Sequence, residues 1–186
     1  METTMHLVKS SIDSLLSRKN FVIVAIDGNC TAGKTTLAAG LSQIYDCNVF
    51  HMDDFFLRPE QRTSNRFAQT GGNVDYERFA SEVLSPLMAG EPFSYRPFDC
   101  KTFTLSEPIH VTPKKLVIIE GTYSHHPYFK DPYDLKIFLS VTPDVQRQRI
   151  LKRPAALHDR FFQFWIPMEQ QYFDGFEIPQ KSHLLL

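Results

Sequence analysis

Apolar residues along this chain follow two rhythms. Short continuous runs occur at "FVIVAI" (residues 21–26), "NVFHM" (48–52), "KLVIIEG" (115–121) and "DLKIFLSV" (134–141). Rich in β-branched residues, they read as strands buried on both faces, with "HLLL" (183–186) as a final strand. Between them the spacing turns helical. Leu7, Ile12, Leu15 and Leu16 predict a leading helix within residues 1–18, and Leu37, Leu41 and Ile44 predict a second helix closing against the strand before it. Phe79, Val83 and Leu84 share one side of "DYERFASEVL", where Pro86 is expected to end or kink the helix and Gly90 to stop it. In "TPDVQRQRILKR" Thr142 can cap and Pro143 can occupy the first turn. After Pro154 an aromatic-rich helix, "HDRFFQFWIPMEQQYF", is expected. Residues 91–113 carry most of the turn punctuation and read as loop with short strands. Strands alternating with helices imply an α/β fold, a parallel sheet wrapped on both faces, because each right-handed crossover needs a helix.

Composition narrows the field. At 186 residues, 42% of them hydrophobic, the chain supports one core and one domain, residues 1–186. Twenty basic residues against 21 acidic leave a formal charge of -1. That balance supplies no global field for nucleic acid or an anionic membrane, so a small molecule is the expected partner. Cys30, Cys47 and Cys100 lack metal-ligand spacing, and an odd count argues against a full disulfide framework. No apolar run nears the roughly 18 residues of a membrane span, and the N-terminus lacks a signal-peptide pattern. The expectation is a soluble, unprocessed, cytoplasmic protein.

The chemistry is concentrated after the first strand. "GNCTAGKTT" meets G-x-x-x-x-G-K-[ST] with Gly28, Gly33, Lys34 and Thr35. Residues Gly28, Asn29, Cys30, Thr31, Ala32, Gly33, Lys34, Thr35 and Thr36 would form a phosphate cradle, with backbone amides and a helix dipole facing the anion. Lys34 would reach the β/γ-phosphates of ATP and the Thr35 hydroxyl would ligate Mg2+. The guanine-reading N-K-x-D, the D-x-x-G switch and a transporter-type L-S-G-G-Q are all missing from the chain, leaving a small-molecule kinase.

Such a kinase needs a base for the acceptor hydroxyl. "HMDDFF" puts Asp53 at the end of the second strand, where open parallel sheets bind ligands. Glu120 ends "LVIIE" in the same way and is a candidate for holding Mg2+-bound water or substrate. Arg149 and Arg153 lie one helical turn apart and are candidates for a lid that neutralises the transferring phosphoryl group. His125 and His126 read as an ordinary loop pair, and "FFQFW" as core rather than a base-stacking surface.

Together, "GNCTAGKTT", "HMDDFF", "NVDYERF", "LVIIEG" and "IFLSVTPDVQRQRILKR" resemble the uridine kinase family of P-loop kinases, which is also similar to the nicotinamide riboside kinases. The resemblance runs from about Phe21 to the C-terminus. It implies a five-stranded parallel core of the P-loop nucleoside triphosphate hydrolase fold, a substrate-side insertion at about 55–113 and a lid at about 149–160. It implies transfer of the ATP γ-phosphate to a hydroxyl, often the 5′-hydroxyl of a nucleoside; a nicotinamide riboside, pantothenate or sugar kinase on the same scaffold, and a nucleotide-binding regulatory protein without transfer activity, are the alternatives. Asp53 falls on the family's base, Asp75 on its ribose-binding aspartate, and Glu120 on its strand-end acid; Arg149 and Arg153 match the lid arginines best. Arg96 and Phe98 lie in the stretch bordering the nucleobase, where this chain reads "RPFDCKTF": Phe98 replaces a tyrosine, and the expected histidine is missing. Homo-oligomers are frequent in that family, so self-association is also implied.

Overall fold

A computed structural model describes residues 2–186. Helix α1 (Glu2–Leu16) precedes strand β1 (Val22–Gly28), helix α2 (Lys34–Ser42) and strand β2 (Cys47–His51). Residues 52–115 stand outside the main sheet. They contain α3 (Ser64–Phe67), a helix over 76–89 whose ends are α4 (Tyr76–Phe79) and α5 (Ser85–Ala89), and the short strands β3 (Phe93–Tyr95), β4 (Phe98–Asp99), β5 (Thr104–Leu105) and β6 (Ile109–Val111). Strands β3 and β6 pair antiparallel, as do β4 and β5. Strand β7 (Leu116–Glu120), strand β8 (Leu135–Leu139) and helix α6 (Pro143–Leu151) return to the core. A last long helix over 158–176, from α7 (His158–Arg160) to α8 (Ile166–Phe176), leads to β9 (Leu184–Leu185).

The main sheet is five-stranded and parallel, in the order β2-β7-β1-β8-β9. Every residue of β1 is buried, as expected for a central strand covered on both faces. Val22, Val24 and Ile26 pack on Val8 and Ile12 of α1 and Leu37 and Leu41 of α2. Ile23 and Ala25 face the other way, toward Phe50, Phe79, Tyr172 and Phe173. A continuous apolar run thus serves two cores by alternating its side chains. The register aligns the strand ends that matter: Ile26 and His51 both lie opposite Glu120, and Gly28 lies opposite Leu139.

Two details differ from the sequence expectation. Strand β2 stops at His51, and residues Met52–Phe55 form a 3-10 turn, so Asp53 rides on the turn rather than on the strand end. Pro86 does not end its helix. A π-helical segment, Ala80–Leu84, precedes it and the helix runs on to Ala89, where Gly90 (φ 71°) terminates it. Pro167 follows another π-helical segment, Phe161–Trp165, at the same spacing. The wider turn tolerates the missing N–H and the ring that would clash in a regular helix. No helix among the described residues is long and apolar enough to cross a membrane.

Candidate active site

The phosphate loop begins where β1 meets β8. Gly28 has φ 136°, and a Cβ there would run into the Leu139 carbonyl, so only glycine fits. Thr31 also has positive φ (64°), a costly conformation for a β-branched residue, and its buried Oγ1 has no partner. Gly33 (φ 108°) then turns the chain into α2. The Lys34 ammonium lies inside the loop, donating to the carbonyls of Gly28 (2.6 Å) and Asn29 (2.8 Å) and to Thr122 Oγ1 (3.2 Å). Strained backbone, an orphaned hydroxyl and an enclosed lysine fit a polyphosphate-binding loop.

Across the strand ends, the buried Glu120 carboxylate accepts from Thr35 Oγ1 at 3.0 Å. The same Oε1 lies 2.5 Å from His51 Nδ1, and this bond raises the His51 pKa. A hydroxyl beside a carboxylate is a hard-oxygen set of the kind Mg2+ takes together with phosphate oxygens and water. Asp53 stands on the adjoining turn, exposed to solvent yet crowded by protein. Desolvation, followed by the Glu120 charge, raises its pKa, while Lys34 opposes the shift.

The other sequence-predicted residues divide. Asp75 is 1% exposed; its Oδ1 caps α4 by accepting from the Arg78 amide at 3.1 Å, and its Oδ2 has no hydrogen-bond partner. Arg58 Nε and Arg78 Nε lie 3.7 and 3.6 Å from that oxygen, close enough for charge but not for a hydrogen bond. Arg96 points its guanidinium onto backbone, donating to the carbonyls of Ser106 and Leu105 and closing the β4–β5 hairpin. Phe98 is buried, edge-on to Phe103. On α6, Arg149 donates to the Thr31 carbonyl at 2.7 Å, whereas Arg153 stands exposed beyond the end of that helix. His125 and His126 are both buried; His126 stacks on Tyr76. Within "FFQFW", Phe161 is core and Phe164 is exposed.

No family model matches the chain. It is 27% identical to a uridine kinase of Shewanella denitrificans over 162 residues, covering 78% of this chain and 74% of that protein. Identity is 26% over 181 residues to uridine kinase-like protein 4 of Arabidopsis thaliana, covering 90% of this chain but only 38% of the plant protein. Among solved structures, that of a possible uridine kinase from Bacillus stearothermophilus superposes with a TM-score of 0.73 over the full length of both chains, at 22% identity. The chain has the P-loop kinase fold and is similar to the uridine kinases. A D-glycerate 3-kinase from Cryptococcus neoformans also shares the fold, with a TM-score of 0.68 at 14% identity, covering 94% of this chain and 88% of that one.

This uridine kinase-like chain also places residues at the loop that sequence reasoning missed. Glu169, buried on α8, accepts from the Cys30 amide at 2.9 Å and lies 3.5 Å from Thr122 Oγ1. Burial raises the Glu169 pKa; burial, then the Glu169 charge, push the Cys30 thiol up to about 12. The available signal was a lone acid on the helix stripe of Trp165, Tyr172, Phe173 and Phe176 that faces the core. Asp27, fully buried just before the loop, accepts from the Gly28 and His125 amides and from Tyr172 Oη.

Proposed function

We propose that this protein is an ATP- and Mg2+-dependent kinase that transfers the γ-phosphoryl group to a hydroxyl of a small metabolite. The observation that carries the reading is convergence: Lys34, the Thr35–Glu120 pair and Asp53 meet at the C-terminal ends of the strands, around a loop whose geometry suits phosphates. Bound ATP would supply the phosphoryl group, with Mg2+ offsetting charge on its oxygens. The amides of residues 29–36 cradle the phosphates, and the Lys34 ammonium moves from the Gly28 and Asn29 carbonyls onto phosphate oxygens. Thr35 Oγ1 and the Glu120 carboxylate hold the metal side. Asp53 accepts the acceptor's hydroxyl proton while that oxygen bonds to phosphorus and the bond to the β-phosphate oxygen breaks. Its raised pKa makes it a stronger base than an ordinary aspartate. Arg149 and Arg153 close over the phosphates as part of a lid at about 149–160. Residues 55–113 carry the acceptor side, where Asp75 Oδ2 would take hydroxyls and Arg96 and Phe98 form part of the wall.

The relatives' names bring nucleosides to this chain as the first acceptor class. One observation favours the second class, nicotinamide riboside, pantothenate or sugar acceptors: Phe98 and Phe103, edge-on to one another, carry no polar group with which to hydrogen-bond a uracil. Replacing Asp53 with Asn tests the kinase reading directly. ATP affinity should persist, and turnover with the best acceptor should fall about 10²- to 10⁴-fold; undiminished turnover removes Asp53 as the base.

A further inference from the structure

Arginines on the acceptor side are used in two ways. Arg66 forks onto both Glu77 oxygens and the Val74 carbonyl, and the terminal nitrogens of Arg78 take the carbonyls of Arg96 and Asp54. Arg62 differs. Its Nε is tethered to the Leu57 carbonyl at 2.9 Å, and its guanidinium carbon lies 4.9 Å from the Phe103 ring centre and 5.7 Å from that of Phe98. Among the described residues, its two terminal nitrogens have neither a hydrogen-bond partner nor an acid in salt-bridge range. Held at its root and set over the two rings, the fork keeps its outer edge free.

That edge belongs to the acceptor side. Strand β4, which carries Phe98, packs on the turn that bears Asp53. Cys100, two residues beyond Phe98, feels the charges of both Arg62 and Asp53. Arg62 and the exposed Phe103 ring, backed by the buried Phe98, therefore form a wall of N–H donors and apolar surface near the base. A planar guanidinium with a free edge matches a carboxylate through two parallel hydrogen bonds, and its Nε tether reduces the entropy lost in making them. One arginine matches one negative charge, which favours a carboxylate over a dianionic phosphate ester.

We propose that Arg62 determines acceptor specificity by reading a carboxylate, so that the acceptor is a hydroxylated carboxylic acid. This rests on the kinase reading and narrows it to an acidic member of the second acceptor class. The test uses matched pairs that differ in the acid: D-pantothenate against pantothenol and D-glycerate against glycerol, with uridine and cytidine as neutral nucleosides. Phosphoryl transfer is measured with wild type, Arg62→Gln and Arg62→Lys; acid binding is measured separately by calorimetry in the presence of ADP and Mg2+. At least one acid should exceed its neutral partner in kcat/KM by about 30- to 100-fold. Arg62→Gln should abolish that preference and Arg62→Lys should restore part of it, both leaving the KM for ATP unchanged. Arg62-dependent binding of an acid without transfer would keep this inference and remove the kinase reading. Transfer to a neutral nucleoside at a rate indifferent to Arg62→Gln would keep the kinase and overturn the inference; failure of both acids to bind or react would also overturn the inference.

Discussion

The two sides of the cleft are built by different means. On the phosphate side, the loop springs from β1, which is paired along its length with β7 and β8, and its ligands come from strand ends already in register. On the acceptor side the strands are two or three residues long and their ladders satisfy few carbonyls. Arginines satisfy others: Arg66 bonds the Gly72 and Val74 carbonyls, Arg78 those of Arg96 and Asp54, and Arg96 those of Leu105 and Ser106. Buried carbonyls need donors, and where no sheet supplies them long side chains do. A guanidinium used this way holds a wall in place, whereas Arg62, with its edge free, is available to a ligand.

The strongest way to break this division is Arg78→Met. It strips two carbonyls of their donor and leaves Asp75 buried beside a single, more distant arginine. Removing one partner of a buried charge pair costs about 3–5 kcal/mol, to be read from urea unfolding. Affinity for ATP in the surviving folded protein should stay near wild type; parallel loss of it would show that the two sides are not separable.

A smaller effect concerns the seam between the sides. His126 stacks on Tyr76 at 4.4 Å, accepts from the Tyr128 amide, and is held down to a pKa of about 4, chiefly by burial. Because the unfolded chain binds this proton more readily, near pH 6.5, the neutral ring contributes its full stability above that pH. The contribution shrinks as pH falls toward 4, by about 3 kcal/mol in all. Urea midpoints measured from pH 7.5 to 4.5 should fall less steeply in His126→Phe than in wild type; equal slopes would place the titration elsewhere.

The gentlest test lies on the phosphate side. Glu169→Gln keeps an acceptor for the Cys30 amide but removes a negative charge beside the loop. ATP should bind roughly fivefold more tightly, since a buried like charge disfavours the phosphates. Weaker binding would instead mean that the carboxylate's grip on the Cys30 amide sets the loop's shape.

How much was legible in the sequence follows the same line. The phosphate loop, Thr142 as the cap of α6 and the alternation of strands and helices all rest on short-range spacing, and each is found where it was expected. Asp53 was displaced by one element, because the turn after His51 carries no signal distinguishing it from a strand continuing to the acid. Helix 76–89 ran through Pro86, since a π-helical turn has no simple sequence period. Glu169 and the arginine staples were missed for a different reason. Their partners are backbone groups or residues distant along the chain, as in Glu169 with Cys30, and such pairings leave no periodic trace.

The sandwiching of β1 has a further consequence for how the molecule opens. Its amides lie under two packed layers and between two parallel neighbours, so they exchange with solvent only when most of the sheet parts. The β4–β5 hairpin, closed by a two-residue ladder and the Arg96 bonds, can detach in a smaller step. Breathing on that side leaves the loop between β1 and α2 standing, so that under the proposed function a product leaves through local unfolding while the nucleotide keeps its seat.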